Sequence, residues 1–200
     1  MSNVRIDTTR LRATIGWLGM LLPWIVVALV CGFPPSISAT YYTNAGAVFT
    51  IILGSASVLL ICYRGYELID DITFTASGIF GLGICLFPCY TDELSRVGTF
   101  QIPVEISSII HNVCAAGFFI LLSSCSLFLF TKTDGEMTKK KKIRNLIYIV
   151  CGIGMVLSFA LFLLPDFGIK VWLIETIALF FFGVSFLTKA NIYKFLFAGD

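Results

Sequence analysis

SSIIHNVCAAGFFILLSSCSLFLF, residues 107–130, is followed after one threonine by KTDGEMTKKKKIR, residues 132–144. The first stretch is long enough to cross a bilayer and holds the only histidine, His111. The second carries six basic residues: Lys132, Lys139, Lys140, Lys141, Lys142 and Arg144. An apolar run ending in a block of positive charge gives both a membrane span and the side on which that span ends.

The rest of the chain agrees. Of its 200 residues 58% are hydrophobic and 13% charged, against roughly 25% charged in soluble domains. Water would have to solvate far more apolar surface than a soluble fold tolerates. A span needs about 20 apolar residues to cross roughly 30 Å of hydrocarbon. Six stretches qualify: 14–31, 45–63, 72–88, 107–130, 146–164 and 171–187. Their apolar character is continuous rather than alternating, so each reads as α-helix and not as barrel strand. The expected fold is all-α, a single polytopic domain over residues 1–200 with six transmembrane helices. The run after Arg5, Arg10 and Arg12 is longer than a signal-peptide core and lacks a small-residue cleavage site, so it reads as a retained first span.

Orientation follows from the basic residues. With the amino end inside, the inner segments hold twelve: Arg5, Arg10, Arg12, Arg64, Lys132, Lys139, Lys140, Lys141, Lys142, Arg144, Lys189 and Lys194. The outer loops hold only Arg96 and Lys170. Both termini are therefore expected in the cytoplasm, in a plasma (inner) membrane protein. Tyr41, Tyr42, Tyr90 and Trp172 fall at the outer boundary, and Tyr63, Tyr66, Tyr148 and Tyr193 at the inner one. That is where amphipathic rings settle. Pro23 is expected to bend the first helix. The loop over residues 89–106 has room for an interfacial segment. No internal repeat of the inverted-transporter kind is visible.

Ionisable groups within spans are costly and mark function by default. His111 lies about one turn into the fourth span and Glu175 about one turn into the sixth, both from the outer end. Ser36, Ser38, Tyr41, Tyr42, Asn44 and Asn112 belong to the same level. If the fourth and sixth helices share a cavity, His111 and Glu175 can pair there in an outward-facing site for a proton, cation or polar head group. The plainer alternative is an interfacial His and Glu bonded to loops or water. A second set, Arg64, Tyr66, Glu67, Asp70, Asp71, Arg144 and Asn145, lies at the inner face. It reads first as an ion-pair network joining the second, third and fifth helices, and otherwise as an inner gate. Lys139–Lys142 sets topology or attracts anionic lipid. Cys31 and Cys89 reach the same face, so a disulfide between them is open to test.

A single histidine excludes a three-histidine zinc site within one chain, and the seven cysteines lack metal-ligand spacing. No nucleophilic triad, phosphate loop or nucleic-acid module is present. No cofactor is expected. The expected partners are membrane lipids and a second copy of the chain, not nucleic acid.

The set SISATYYT (36–43), YRGYELIDD (63–71), the His111 span, RNLIYIVCG (144–152) and ETIALFFFGVSFLTK (175–189) resembles a group of small bacterial integral membrane proteins without an assigned activity. The resemblance implies one six-span unit and no catalytic role. The chain compares more weakly with alkaline-ceramidase and progestin-receptor-like membrane hydrolases. Those have seven spans and a zinc held by three histidines, and this chain departs from both. The expected function is therefore binding or conducting a small polar species or ion. The alternatives are a non-catalytic membrane subunit or effector acting by assembly, and an intramembrane lipid hydrolase.

Overall fold

The computed structural model describes residues 8–65, 67–132, 137–165 and 167–191. Its long elements are six helices: α1 (Thr8–Val30), α2 (Gly46–Ile61), α3 (Leu68–Leu86), α4 (Val104–Ser124), α5 (Lys139–Ser158) and α6 (Lys170–Lys189). A π-helical turn, Cys125–Leu129, prolongs α4, and a 3₁₀ turn, Phe159–Leu163, prolongs α5. Ser38–Tyr42 forms a separate 3₁₀ helix between α1 and α2.

All six expected spans are helical, and five helices are long and apolar enough to cross a membrane. The exception is α2. It has 16 residues, about 24 Å at 1.5 Å per residue, because Cys62 and Tyr63 leave the helix in a turn that bonds back to Val58 and Leu60. Conversely, α3 begins at Leu68, four residues before the expected 72. A capping box satisfies its first turn: Glu67 accepts from the Asp70 backbone, and the Asp70 side chain accepts from the Glu67 backbone. Capping lets a charged sequence start the helix where apolarity alone does not. Pro23 lies buried inside an uninterrupted α1. The 89–106 loop contains a small antiparallel ribbon, with Arg96–Val97 (β1) paired to Ile102–Pro103 (β2).

Packing is sequential: α1 on α2, α2 on α3, α3 on α4, α4 on α5 and α5 on α6, with α1 closing the ring against α6. At the closure the two backbones nearly touch. A Cβ on Gly183 would stand 2.8 Å from the Gly16 carbonyl oxygen, so both positions require glycine for the close approach. Within the ring runs a column of rings. Phe118 lies 6.4 Å from Phe182, Phe182 4.8 Å from Phe186, and Phe186 5.1 Å from Phe130. All four are at most 2% exposed. Two hydroxyl contacts pin the helices beside this column: Ser126 Oγ to Ser185 Oγ at 2.7 Å and Ser123 Oγ to the Gly152 carbonyl at 2.8 Å.

The outward faces are the reverse of a water-soluble surface. Ile51, Val58, Ile79, Ile109, Ile120, Phe128, Val150, Val156 and Leu163 are all exposed. So much contiguous apolar surface suits lipid. The α6 helix is the most enclosed: 61% of its apolar window is buried, against 33–39% for the other long helices. Glu175 therefore sits on the helix that lipid reaches least.

Candidate functional site

At the end of the bundle away from the basic block, the chain between α1 and α2 is strapped across the start of α6. Three bonds hold it. The Trp172 N–H donates to the Pro35 carbonyl at 3.0 Å. The Ile37 N–H donates to Glu175 Oε2. Ser38 Oγ donates to Glu175 Oε1 at 3.1 Å. Both carboxylate oxygens thus serve as acceptors for one short segment, and no cation pairs with Glu175 among the described residues. Beneath the carboxylate lies a cavity of about 40 Å³, lined by Leu22, Ile37, Ser38, Phe49, Leu53, Ile84, Ala115, Phe118, Phe119, Glu175 and Leu179. It has room for one or a few waters. Ser38 and Glu175 are its only side chains with hydrogen-bonding groups.

His111 is placed elsewhere. Its ring, 3% exposed, has Nδ1 2.8 Å from the Phe87 carbonyl oxygen. A carbonyl only accepts, so Nδ1 carries the proton. The two neighbouring carbonyls are held in the same way. Ser107 Oγ donates to Pro88 O at 2.8 Å and Tyr42 Oη to Cys89 O at 2.6 Å. Three successive carbonyls beyond the end of α3 are thus satisfied by side chains from α4 and from the 38–42 helix. Helix ends leave carbonyls without intrahelical partners, and His111 is one of the fasteners. His111 and Glu175 form no ion pair. The physical reason is local: the Phe87 carbonyl takes the His111 Nδ1 proton, and Ile37 and Ser38 occupy the two Glu175 oxygens, so each residue meets a different strap.

The other residues expected at this level divide. Ser38 joins Glu175. Ser36 Oγ instead accepts from the Ala39 N–H at 2.8 Å, opening the 38–42 helix. The Tyr41 ring packs edge-on against Tyr42, centroids 5.2 Å apart. Asn112 is exposed and turned away. Asn44 donates to the Leu29 carbonyl at 2.9 Å. Cys31 and Cys89 are both free thiols, Cys31 exposed and Cys89 half-buried. Burial pushes the Cys89 thiol up to about 11, helped by the Glu175 charge. Burial likewise pushes the Tyr42 hydroxyl up to about 12. Both stay protonated at neutral pH.

At the basic end the expected network forms with different members. Arg64 pairs with Asp71 at 3.0 Å, and the Gly65 N–H also donates to Asp71 at 2.8 Å. Lys132 bridges Glu67 at 2.7 Å and Asp70 at 3.1 Å. These two carboxylates hold the Lys132 ammonium above its usual range. Arg144 and Asn145 join none of these three acids. Arg144 Nη1 donates to Asn191 Oδ1 at 2.8 Å and Asn145 Nδ2 to the Thr131 carbonyl at 3.1 Å. Glu67 and Asp70 therefore brace the start of α3 to the end of α4, and Asp71 braces it to the turn after α2; among the described residues none of the three reaches α5. Tyr66 lies outside the described residues.

Sequence reasoning missed Ile37 as a partner of Glu175 and Lys132 as a partner of the acids. The Ile37 contribution is a backbone N–H and leaves no residue-type signal. Lys132 carried one, a lone lysine ending an apolar run one loop away from three acids. Among the described residues no three of His, Cys, Asp and Glu gather as a metal site. Comparison with protein-family models, curated proteins and solved structures finds no match to this chain.

Proposed function

We propose that this is an integral protein of the inner (plasma) membrane with six spans and both termini in the cytoplasm. Its role is to bind or pass a proton or small cation through the Glu175 pocket on the outer side. The observation that carries the reading is the Glu175 carboxylate itself. It sits on the most enclosed apolar helix, over a cavity, with two neutral donors and no cation among the described residues. A carboxylate within a span is retained at a cost and pairs with something. Here the partner is the transported or bound positive charge. Its arrival weakens Glu175 as an acceptor, releases Ile37 and Ser38, and frees the strap over the cavity. Ser38 and Glu175 contact the ion. His111, Ser107 and Tyr42 are positioning residues that hold the Phe87–Cys89 segment beside it.

The experiment is ion and proton flux in liposomes made with the purified chain. Glu175→Gln is expected to abolish flux while keeping the fold, and Asn112→Ala to leave it unchanged. Normal flux through Glu175→Gln overturns the reading.

One feature favours a second reading, assembly. A helix as short as α2 mismatches the bilayer, and association with another helix relieves mismatch. Its outward face carries Ile51, Gly54, Ser55 and Val58. Dimers that persist on dilution in mild detergent support this reading, and a strict monomer removes it.

A further inference from the structure

The seam where α1 meets α6 changes character along its length. Near the basic end, Gly16 and Gly183 bring the two backbones together. Toward the Glu175 end the same helices border a groove of about 590 Å³. Met20 and Trp24 of α1 line it, with Leu173, Ile177 and Phe180 of α6. Phe33, from the chain just after α1, borders it too. Trp24, Phe33 and Phe180 are each half exposed or more, so the groove opens on the apolar outer surface of the bundle. Its volume lies within the roughly 300–1,000 Å³ of sites that hold a small organic molecule.

One polar atom in this apolar lining is unsatisfied. The Trp172 ring is 4% exposed. It packs edge-on against Trp24, centroids 6.0 Å apart, and against Phe33, centroids 4.9 Å apart. Its indole N–H has no partner among the described residues. The other buried polar side-chain atoms in that condition belong to Arg144, Asn145 and Thr188, at the opposite end of the bundle. An indole nitrogen only donates. A buried one ordinarily finds an acceptor, because a bare donor keeps its full desolvation cost. Thr176, the other hydrogen-bonding side chain in the lining, spends its hydrogen on the Trp172 carbonyl at 2.7 Å. The indole is therefore the groove's one free donor among the described residues, and no charged side chain lines it.

The chemistry that completes such a groove is a neutral acceptor carried on a long apolar body. Trp172 belongs to the boundary level of its span, where amphipathic rings meet the head-group zone. The ester linkages of a phospholipid lie at that level, between head group and hydrocarbon. An ester carbonyl accepts without donating, and the acyl chain below it is apolar throughout.

We propose that this groove is a site for one acyl chain of an ester-linked phospholipid, whose ester carbonyl accepts the Trp172 indole N–H. Recognition reads the linkage and not the head group, since no charge borders the groove among the described residues. The site rests on the membrane reading of the chain and not on the passage of ions.

The test uses the full chain carrying Trp17→Phe in a neutral detergent. Of the three tryptophans, the two that remain, Trp24 and Trp172, both border the groove. Phosphatidylcholine with brominated acyl chains is expected to quench their fluorescence saturably. Unbrominated diacyl phosphatidylcholine should displace it at about fivefold lower concentration than the dialkyl ether analogue of equal chain length, the worth of one ordinary hydrogen bond. Diacyl phosphatidylglycerol should compete as well as diacyl phosphatidylcholine. Adding Trp172→Phe keeps a ring, removes the donor and leaves Trp24 as reporter; ester and ether lipids should then compete equally. Native mass spectrometry of the unmodified chain needs no variant, and retention of the diacyl over the dialkyl lipid is expected there. Equal competition or equal retention of ester and ether lipids overturns the site. So does quenching that never saturates, a preference set by the head group, or an ester preference that survives Trp172→Phe. A lipid-free dimer in the mass spectrum also overturns it and gives the groove to a second copy of the chain. Those outcomes leave the membrane reading standing, whereas a chain that stays folded and soluble without detergent overturns both.

Discussion

The Glu175 carboxylate accepts the backbone N–H of Ile37, a residue 138 positions earlier in the chain. One side chain on α6 therefore ties down the segment that closes the far end of the bundle. Its two acceptor oxygens are not equivalent to substitute. Glu175→Gln keeps one carbonyl oxygen for the Ile37 N–H and should cost about 1 kcal/mol. Glu175→Ala leaves that N–H without a partner and should cost about 1–3 kcal/mol. Unfolding in mixed micelles measures the difference, and the order Ala worse than Gln is the expected result.

His111 separates structure from transport. Its Nδ1–H satisfies the Phe87 carbonyl, so His111→Ala should destabilise the chain by about 1–3 kcal/mol. Flux per folded molecule should stay within twofold, and His111→Asn, which restores a donor, should recover part of the stability. Loss of flux in a fully folded His111→Asn protein would return the imidazole to the ion path.

The ring closure rests on absent side chains. A Cβ at Gly183 meets the Gly16 carbonyl at 2.8 Å and Met20 Cβ at 2.9 Å. Gly183→Ala is therefore expected to cost about 1–3 kcal/mol through overpacking. At Gly54 an added Cβ meets nothing within 4 Å. Gly54→Ala should be neutral or slightly stabilising, since alanine favours helix. The same unfolding assay reads both.

Alkaline pH should weaken the far end. Tyr42 titrates near 10.0 when unfolded and about 12 when folded, with burial the first cause and Cys89 and Tyr41 the next. Cys89 moves from 9.0 to about 11 by burial first and then by the Glu175 charge. Over this range the unfolded chain releases protons that the folded chain keeps, so stability falls as pH rises. The loss should begin near pH 9 and level off by about pH 12. Tyr42→Phe should flatten the upper part of that slope, and stability measured from pH 8 to 12 checks it.

The helices are readable from residue type because lipid demands unbroken apolar runs, and all six runs are helical. What escapes is whatever depends on backbone partners or on neighbour order. His111 and Glu175 share a depth in sequence, yet each turns to a different loop, His111 to the Phe87 carbonyl and Glu175 to Ile37 and Ser38. Lys132 outcompetes Arg144 for Asp70 because it lies directly after the π turn, beside the start of α3. Arg12 and Lys189 look like ordinary topology signals in the chain. Only the packed bundle shows Arg12 against Tyr63 and Lys189 over Phe130 and Tyr148.

The threading itself is tested most directly at the two ends of α2. Cys31 precedes it and Cys62 follows it, and both are exposed, whereas Cys85, Cys125 and Cys151 are buried. Single-cysteine versions of the chain in intact cells would be treated with a membrane-impermeant maleimide, before and after permeabilisation. Cys31 should react from outside, and Cys62 only once the membrane is opened. Equal reaction of both residues in intact cells would mean that α2 does not cross, and would contradict the six-span arrangement on which the outer Glu175 pocket depends.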